Sequence, residues 1–348
     1  GYNPALNQGA RRLIMRRFGK EVRNNLIGVI FPHHFYRATF YVTIYEGITE
    51  VLAQEGYGLL TIQTSPSGEI TLPPSIERGE VDAAIMLLGA DRGEHVRSVL
   101  RQSMGFRNAP IISVDAALPG CAAVLVDAQA GAYAAAKYLF DIGHRYLLYL
   151  RRSDNSPFGF HQDQQYPGYQ QACLDSGLDP AVHLRPLDME PQLWRFTFVA
   201  SNVQKFAMLN TIAPGLTSVG SSTQANLLRA LRQTPEATAI LAPNDPVAIV
   251  LRYHLVQAGI RVPDDISLIG FDDTDPLFDH HGRNMLTTVH LPLAALGRKA
   301  AHLAIAAQAA ATPSQVVLPT KLVVRRSATA PGNSQGVPDP LEAPPEKQ

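Results

Sequence analysis

The chain has 348 residues, 46% of them hydrophobic, which is enough for two cores of ordinary size. Thirty Lys and Arg face 30 Asp and Glu for a formal net charge of +0, so the chain as a whole lacks the basic excess of an autonomous nucleic-acid binder. Its two cysteines, Cys121 and Cys173, give no disulfide framework and suit a reducing compartment; no apolar run reaches the roughly 18 residues of a membrane span and no signal peptide is seen, so a cytoplasmic location is expected.

Charge is nevertheless uneven along the chain. Arg11, Arg12, Arg16, Arg17, Lys20 and Arg23 all precede Asn25 and meet one acid, Glu21. That end can touch phosphates; the plainer reading is a solvated basic helix face. From Leu26 onward short apolar runs alternate with amphipathic stretches, the pattern of repeated βαβ units. Strands are expected at Leu26–Phe31, Gly58–Gln63, Ala83–Leu88, Ile111–Val114 and Ala123–Val126, each short and buried on both faces. A helix with Ile44, Ile48, Val51 and Leu52 at helical spacing follows the first strand and is closed by Gly56. A second series begins with a helix over Ala130–Ile142, stopped at Gly143, and continues with a strand at Tyr146–Leu150 and a helix near Tyr169–Leu174. Residues 186–223 mix Trp194, Phe196 and Phe198 with Gly, Ser and Thr and receive no assignment.

The most informative stretch runs from Ala239 to Val289. It reads as a buried strand (Ala239–Ala242), a polar Asn244-Asp245 at its carboxyl end, a helix stopped at Gly259, a second apolar strand (Ile266–Gly270) and the acidic pair Asp272-Asp273. In an open α/β sheet ligands sit outside the carboxyl ends of parallel strands, so Asn244 and Asp272 are expected as neighbours at one pocket mouth. The fold expected is α/β, two Rossmann-like lobes with parallel sheets joined by three crossovers near Asp127, Val289–Pro292 and Leu322. The domain division is 1–25 as a linker, 26–126 plus 290–321 as the N-terminal lobe, 127–289 plus 322–328 as the C-terminal lobe, and 329–348 as a disordered tail rich in Pro and charge. A bilobed protein of this kind forms its ligand cleft between the lobes and closes by a hinge motion.

The sequence AILAPNDPVAIVLRYHLVQAGIRVPDDISLIGFDDTDP followed by LTTVHLPLAALGRKAA resembles the effector domain of LacI/GalR-family transcription regulators. GHRYLLYL (Gly143–Leu150) and VDAQAGAYAAAKYL are similar to that family's first strand of the second lobe and its interlobe crossover, and the resemblance covers nearly all of residues 1–328 in the expected order. It implies a periplasmic binding protein type I-like fold, a homodimer, operator DNA as partner, a small sugar-like effector and no cofactor. GYNP (Gly1–Pro4) and ARRL (Ala10–Leu13) look like the end of the helix-turn-helix headpiece and the hinge helix, so that this chain, beginning at Gly1, is expected to lack most or all of the headpiece. In the family a hinge-helix Leu wedges into a base step of the minor groove. Leu13 matches it, with Arg11, Arg12 and Arg16 as the accompanying DNA contacts. About two extra residues between Pro4 and Leu13 mean either a variant hinge or that Leu13 is not the wedge.

The resemblance also breaks at informative positions. Where the family carries Asp and Ser before an Asn-Pro-Phe-Phe run, this chain has Pro32-His33-His34-Phe35-Tyr36 and then Phe40-Tyr41; where the family places Arg three residues before Gly168, it has Gln165. Loss of that Arg argues for a neutral ligand. Sugars offer hydroxyl arrays and apolar faces, so the expected effector contacts are Asp272 and Asn244 as polar anchors, His33, Tyr36 and Phe40 from the first lobe, His161, Asp163 and Gln165 from the second, and Trp194 as a stacking platform. The plainer alternatives make Asp272 a cap for the following turn, Asn244 an organiser of the strand exit, Trp194 a core residue, and His33 and His161 exposed loop residues. Adjacent histidines, His33-His34 and His280-His281 near Asp279, lack zinc-ligand spacing, and no nucleophile elbow, Walker A loop or dinucleotide fingerprint stands at a strand-to-helix turn, so neither a metal site nor an enzyme is expected. A solute-binding protein of the same fold, serving a sugar transporter, is the alternative to a regulator.

Overall fold

The computed structural model describes residues 24–33, 35, 38–77, 79–103, 106, 109–152, 164–189, 216–279, 281–307 and 314–332. These fall into two compact units, one drawing on residues 1–33, 47–123 and 297–315, the other on 34–46, 124–296 and 316–348. Each unit is built on its own six-stranded sheet.

The first sheet contains β1 (Leu26–Phe31), β2 (Gly58–Gln63), β3 (Ala83–Met86), β4 (Ile111–Val114), β5 (Ala122–Val126) and β11 (Gln315–Leu318), in the spatial order β11-β5-β4-β3-β1-β2. Its central strands β1, β3 and β4 are almost wholly buried, as strands covered on both faces are, while the edge strands β2 and β11 are partly exposed. Ile27, Val29, Ile30 and Phe31 are fully buried. The connecting helices are α1 (Thr39–Gln54), α2 (Pro74–Glu77) and α3 (Ala90–Gln102); Ile76 of α2 and Val96 and Leu100 of α3 join Ile30, Met86, Phe106 and Ile111 in one core. The expected third strand ends two residues early, at Met86.

The second unit contains α4 (Ala128–Asp141), β6 (Tyr146–Arg152), α5 (Gln165–Asp175), α6 (Pro180–His183), β7 (Leu184–Met189), α7 (Leu216–Gln233), β8 (Ala237–Leu241), α8 (Asp245–Gln257), β9 (Ser267–Asp272), β10 (Thr287–His290) and β12 (Lys321–Val323). α9 (Leu293–Ala306) follows β10. The strand order is β12-β10-β9-β8-β6-β7. β12 runs antiparallel to β10, while β9, β8, β6 and β7 pair in parallel with their neighbours. The chain therefore passes from the first sheet to the second after β5, back after β10, and over again between β11 and β12. Parts of the unassigned 186–223 stretch belong to β7 and α7; Trp194, Phe196 and Phe198 lie outside the described residues.

In both sheets the strand order reverses beside the first strand of the unit, between β1 and β3 in one and between β6 and β8 in the other. Such reversals open a crevice at the carboxyl ends of the two strands, because their crossover helices depart to opposite faces. In the second unit that places the exits of β6 and β8 at one crevice, with β9 next in line.

The C-terminal segment straps the opposite end of this sheet. Ser327 donates its backbone N–H to Met285 O (2.7 Å) and its hydroxyl to Leu268 O (2.5 Å), while Leu268 N–H donates to Ser327 O (2.7 Å) and Thr287 N–H to Ser327 Oγ (2.8 Å). Thr329 carbonyl accepts from Ser267 Oγ (3.0 Å) and from Nε2 of buried His144 (2.8 Å), whose Nδ1 accepts from Thr238 Oγ1 at 2.7 Å. Burial lowers the His144 pKa, which keeps the ring in the neutral tautomer this arrangement needs. Thr329, assigned to the tail by sequence, is thus tied to the sheet.

One helix crossing is closer than any side chain permits. A Cβ on Gly168 of α5 would stand 2.3 Å from Gln129 O and 2.8 Å from Tyr133 N of α4. Neither obstacle is a movable side chain. Gly168→Ala is therefore expected to destabilise the protein by about 2–3 kcal/mol despite alanine's better helix propensity. Urea unfolding checks this, and an unchanged midpoint would mean that the two helices separate freely.

Candidate functional site

At the carboxyl edge of the second sheet the chain leaves β8 through Pro243 and enters α8. Asn244 caps that helix, its Oδ1 accepting from Val247 N–H at 3.0 Å, and Asp245 and Pro246 form the first turn. The strand-organiser reading of Asn244 is thus the one its oxygen follows. Its amide nitrogen makes no hydrogen bond among the described residues and remains as a donor.

Asp245 does what the sequence did not indicate. Its side chain turns inward and is fully buried, where Oδ2 accepts the backbone N–H groups of Thr274 (2.8 Å) and Asp275 (3.4 Å) and Oδ1 accepts the Thr288 hydroxyl at 2.5 Å. A Cβ on Gly270 would stand 2.3 Å from Asp245 Oδ1, so β9 has a glycine where the carboxyl group crosses it. One side chain thereby joins the start of α8, the turn after β9 and the middle of β10. Burial, and next the charge of Asp272, raise its pKa well above the ordinary carboxylate range. Burial likewise raises Asp275, which accepts from Thr274 Oγ1 at 2.8 Å.

Asp272 closes β9. It is buried, and both it (φ 96°) and Asp273 (φ 58°) adopt left-handed backbone. Asp tolerates that region better than most residues, yet each such residue costs on the order of 1–2 kcal/mol. The two turn their side chains to different uses. Asp273 Oδ1 accepts from Arg325 Nη2 at 2.8 Å and its Oδ2 faces His290 Nδ1 at 3.1 Å; Arg325 also donates to Leu286 O at 2.7 Å. Asp273 is thus fastened to the far side of β10, whereas Asp272 stands in register with His290 at the strand ends and its charge is felt by Asp245 and Asp275.

Gln165, at the start of α5, is buried rather than presented to a ligand. Its Nε2 donates to Pro243 O at 3.0 Å and its Oε1 accepts from Tyr169 OH at 3.4 Å. It braces the turn that carries Asn244. Tyr149 of β6 stacks on Tyr166 of α5 with centroids 4.8 Å apart and the planes 28° from parallel. Asn244, Asp272 and Gln165 are therefore brought together on the second unit. His33 follows β1 in the first unit, and Phe40 lies in the first turn of α1, edge-on to Tyr41 at 5.3 Å. Tyr36, His161, Asp163, Trp194, Leu13, Arg11, Arg12 and Arg16 lie outside the described residues. His34 and His280, one member of each candidate histidine pair, also lie outside the described residues; among the described residues no cluster of three His, Cys, Asp or Glu could hold an ion.

Chemically, the edge brings a carboxyl group, Asp272, and a side-chain amide, Asn244, to the ends of adjacent strands.

Comparisons with known proteins agree with the fold. The family described as periplasmic binding protein-like domain matches residues 136–328, and the one described as periplasmic binding proteins and sugar binding domain of LacI family matches residues 24–191. The chain is 26% identical over 319 residues to the HTH-type transcriptional regulator DegA of Bacillus subtilis, covering 90% of this chain and 83% of that protein. It is 24% identical to catabolite control protein A of Priestia megaterium, covering 87% and 78%. Among solved structures, a ribose-bound LacI family transcriptional regulator from Enterococcus faecium superposes with a TM-score of 0.66 at 22% identity, covering 88% of this chain and 99% of that one. A complex of the regulator CelR with cellobiose gives 0.63 at 20% identity, covering 94% and 92%. These two show the fold.

The role of Asp245 is testable by two substitutions. Asp245→Ala strands two backbone N–H groups and a hydroxyl and is expected to cost about 3 kcal/mol or more. Asp245→Asn keeps acceptor and shape. Because the folded-state pKa is raised above the unfolded value of about 3.9, this carboxyl favours folding most at low pH, and that contribution is lost as pH rises from about 4 through the folded pKa. Asn at 245 should accordingly become less costly, relative to wild type, between pH 4 and pH 8. Urea titrations at the two pH values check the sign; a pH-independent difference would place Asp245 in an ordinary solvated state.

Proposed function

Because the chain belongs to the LacI/GalR family of transcription regulators, we propose that it is the ligand-sensing and dimerisation part of a DNA-binding repressor, taking a neutral sugar-like effector at the carboxyl edge of its second sheet. The observation that carries the effector assignment is the placement of Asp272, buried, left-handed and at the end of β9, next in the sheet to the Asn244-capped exit of β8. Two further points support it. Gln165 is occupied by Pro243 and Tyr169, which leaves no fixed cation in its place to favour an anionic ligand. Similar proteins were solved with ribose and with cellobiose.

The DNA side of the proposal rests on the basic segment before Asn25, where Leu13 is the wedge and Arg11, Arg12 and Arg16 its phosphate contacts. Two copies pair so that their hinge segments meet a palindromic operator, and effector binding shifts operator affinity by a coupling of about 1–3 kcal/mol. The matches to helix-turn-helix regulators favour this reading over a solute-binding protein serving a transporter. No helix among the described residues is long and apolar enough to cross a membrane, in keeping with a cytoplasmic regulator.

A thermal-shift screen against neutral sugars, sugar phosphates and purines tests the effector class, since a ligand at 100 times its Kd stabilises by about 2.7 kcal/mol. A neutral sugar is the expected hit. Asp272→Asn tolerates the left-handed backbone while removing the charge, and should weaken that hit by about 10- to 100-fold, the worth of a charge-assisted hydrogen bond. Asn244→Asp keeps the helix cap but replaces the donor with a further carboxyl group, so it too should weaken the hit. Unchanged affinity in both variants would put the pocket elsewhere. On the DNA side, Leu13→Ala should lower operator affinity and leave effector affinity as it was; equal operator binding would remove Leu13 from the wedge role.

A further inference from the structure

The point where the basic segment joins the first sheet is fastened by one carboxylate. Asp82 immediately precedes β3, and its Oδ1 and Oδ2 accept the backbone N–H of Asn24 at 3.0 and 2.9 Å. Oδ2 also accepts the backbone N–H of Asn25 at 2.7 Å, and Oδ1 the side-chain amide of Asn24 at 3.0 Å. The backbone on either side is fixed as well: Asp82 N–H donates to Leu26 O at 2.8 Å and Gly58 N–H to Asn25 O at 2.6 Å. Asn25 itself turns through a left-handed conformation, φ 53°. Three strands thus converge on two residues. The last turn of chain before β1 leaves the sheet in a direction set by β1, β2 and β3 together.

Holding a strand's first residue does not call for this much. Ordinary parallel pairing already starts at Leu26 with Gly58 and at Ile27 with Ala83. The additional hydrogen bonds all fall on Asn24 and Asn25, outside that pairing and directly after the run Arg11, Arg12, Arg16, Arg17, Lys20 and Arg23. We propose that Asp82 is a positioning residue for DNA binding: it fixes the direction in which the basic segment leaves the first sheet, and so sets DNA affinity without touching DNA. The inference rests on the reading of that segment as the DNA-binding end.

Charge and geometry predict opposite signs, which makes the test decisive. An acid close to a basic segment repels phosphates, so on electrostatics alone its removal strengthens DNA binding. If Asp82 acts by positioning, Asp82→Ala weakens it. The full chain is titrated by fluorescence anisotropy with a random-sequence 30-bp duplex over a range of salt. Asp82→Ala is expected to lose at least about fivefold in affinity, the lower end of typical coupling between sites, with an unchanged salt slope because no phosphate contact is removed. Glu69→Gln, which deletes an exposed acid elsewhere on the same unit, serves as the charge control and should leave affinity unaltered. Binding equal to or tighter than wild type in Asp82→Ala overturns the proposal.

A second readout does not involve DNA. The native cysteines are buried, so spin labels at Lys20→Cys and Glu55→Cys report one distance. Its distribution should broaden in Asp82→Ala, and an identical distribution would overturn the positioning role. Should Asp82→Ala fail to fold, Asp82→Asn, which keeps one acceptor oxygen, takes its place with smaller changes of the same sign. Absence of DNA binding in the wild-type chain would overturn the DNA reading and the second half of the inference, while the label distances would still decide whether Asp82 orients the segment.

Discussion

A buried carboxyl group organises the edge on which the candidate effector site stands. The Asp245 carboxyl group accepts two backbone N–H groups and a hydroxyl, and reaches them because Gly270 leaves room over β9 and Thr288 faces it from β10. An uncompensated charge there would cost several kcal/mol, and the raised pKa shows how the fold answers: it favours the protonated group. Asp272 is 27 residues further along the chain and closes β9 at the sheet edge, while Asp245 lies beneath that edge.

The turn held by Asp245 is also where backbone strain collects. Asp272 and Asp273 occupy left-handed conformations in succession, and the N–H groups immediately after them are the ones Asp245 receives. On the other side Arg325 and His290 secure Asp273. The proposed ligand anchor, Asp272, is thereby held in a turn secured from both flanks, the kind of preorganisation that lowers the cost of binding.

The strands that sequence revealed most clearly are those buried on both faces. Leu26–Phe31 and Ser267–Asp272 are nearly unbroken apolar runs, and a run of that kind between turn residues has few other uses. β7 escaped notice because it is an edge strand: with one neighbour it tolerates Pro186 and the charged Arg185 and Asp188, so LRPLDM carries no strand pattern. β11 and β12 are three or four residues long and half exposed. The site divides in the same way. Asp272 was legible because position at a strand's carboxyl end follows from chain order alone. Asp245 was not, since its burial depends on Thr288, 43 residues away, and on the missing side chain of Gly270; the Thr287-Thr288 pair inside an apolar strand was the one available hint. Gln165 marks the limit of comparison by position, because its substitution changed both the residue and the direction in which it works.

The strap formed by Ser327 and Thr329 bears on how the protein is made. Those residues complete the hydrogen bonding of β9 and β10, and β11, at 315–318, completes the first sheet beside β5. Both sheets therefore wait for segments that follow residue 314, unlike multidomain proteins whose N-terminal domain is complete before the next emerges. A nascent chain arrested before β11 exposes two unfinished sheets at once, so the units become competent together rather than in turn.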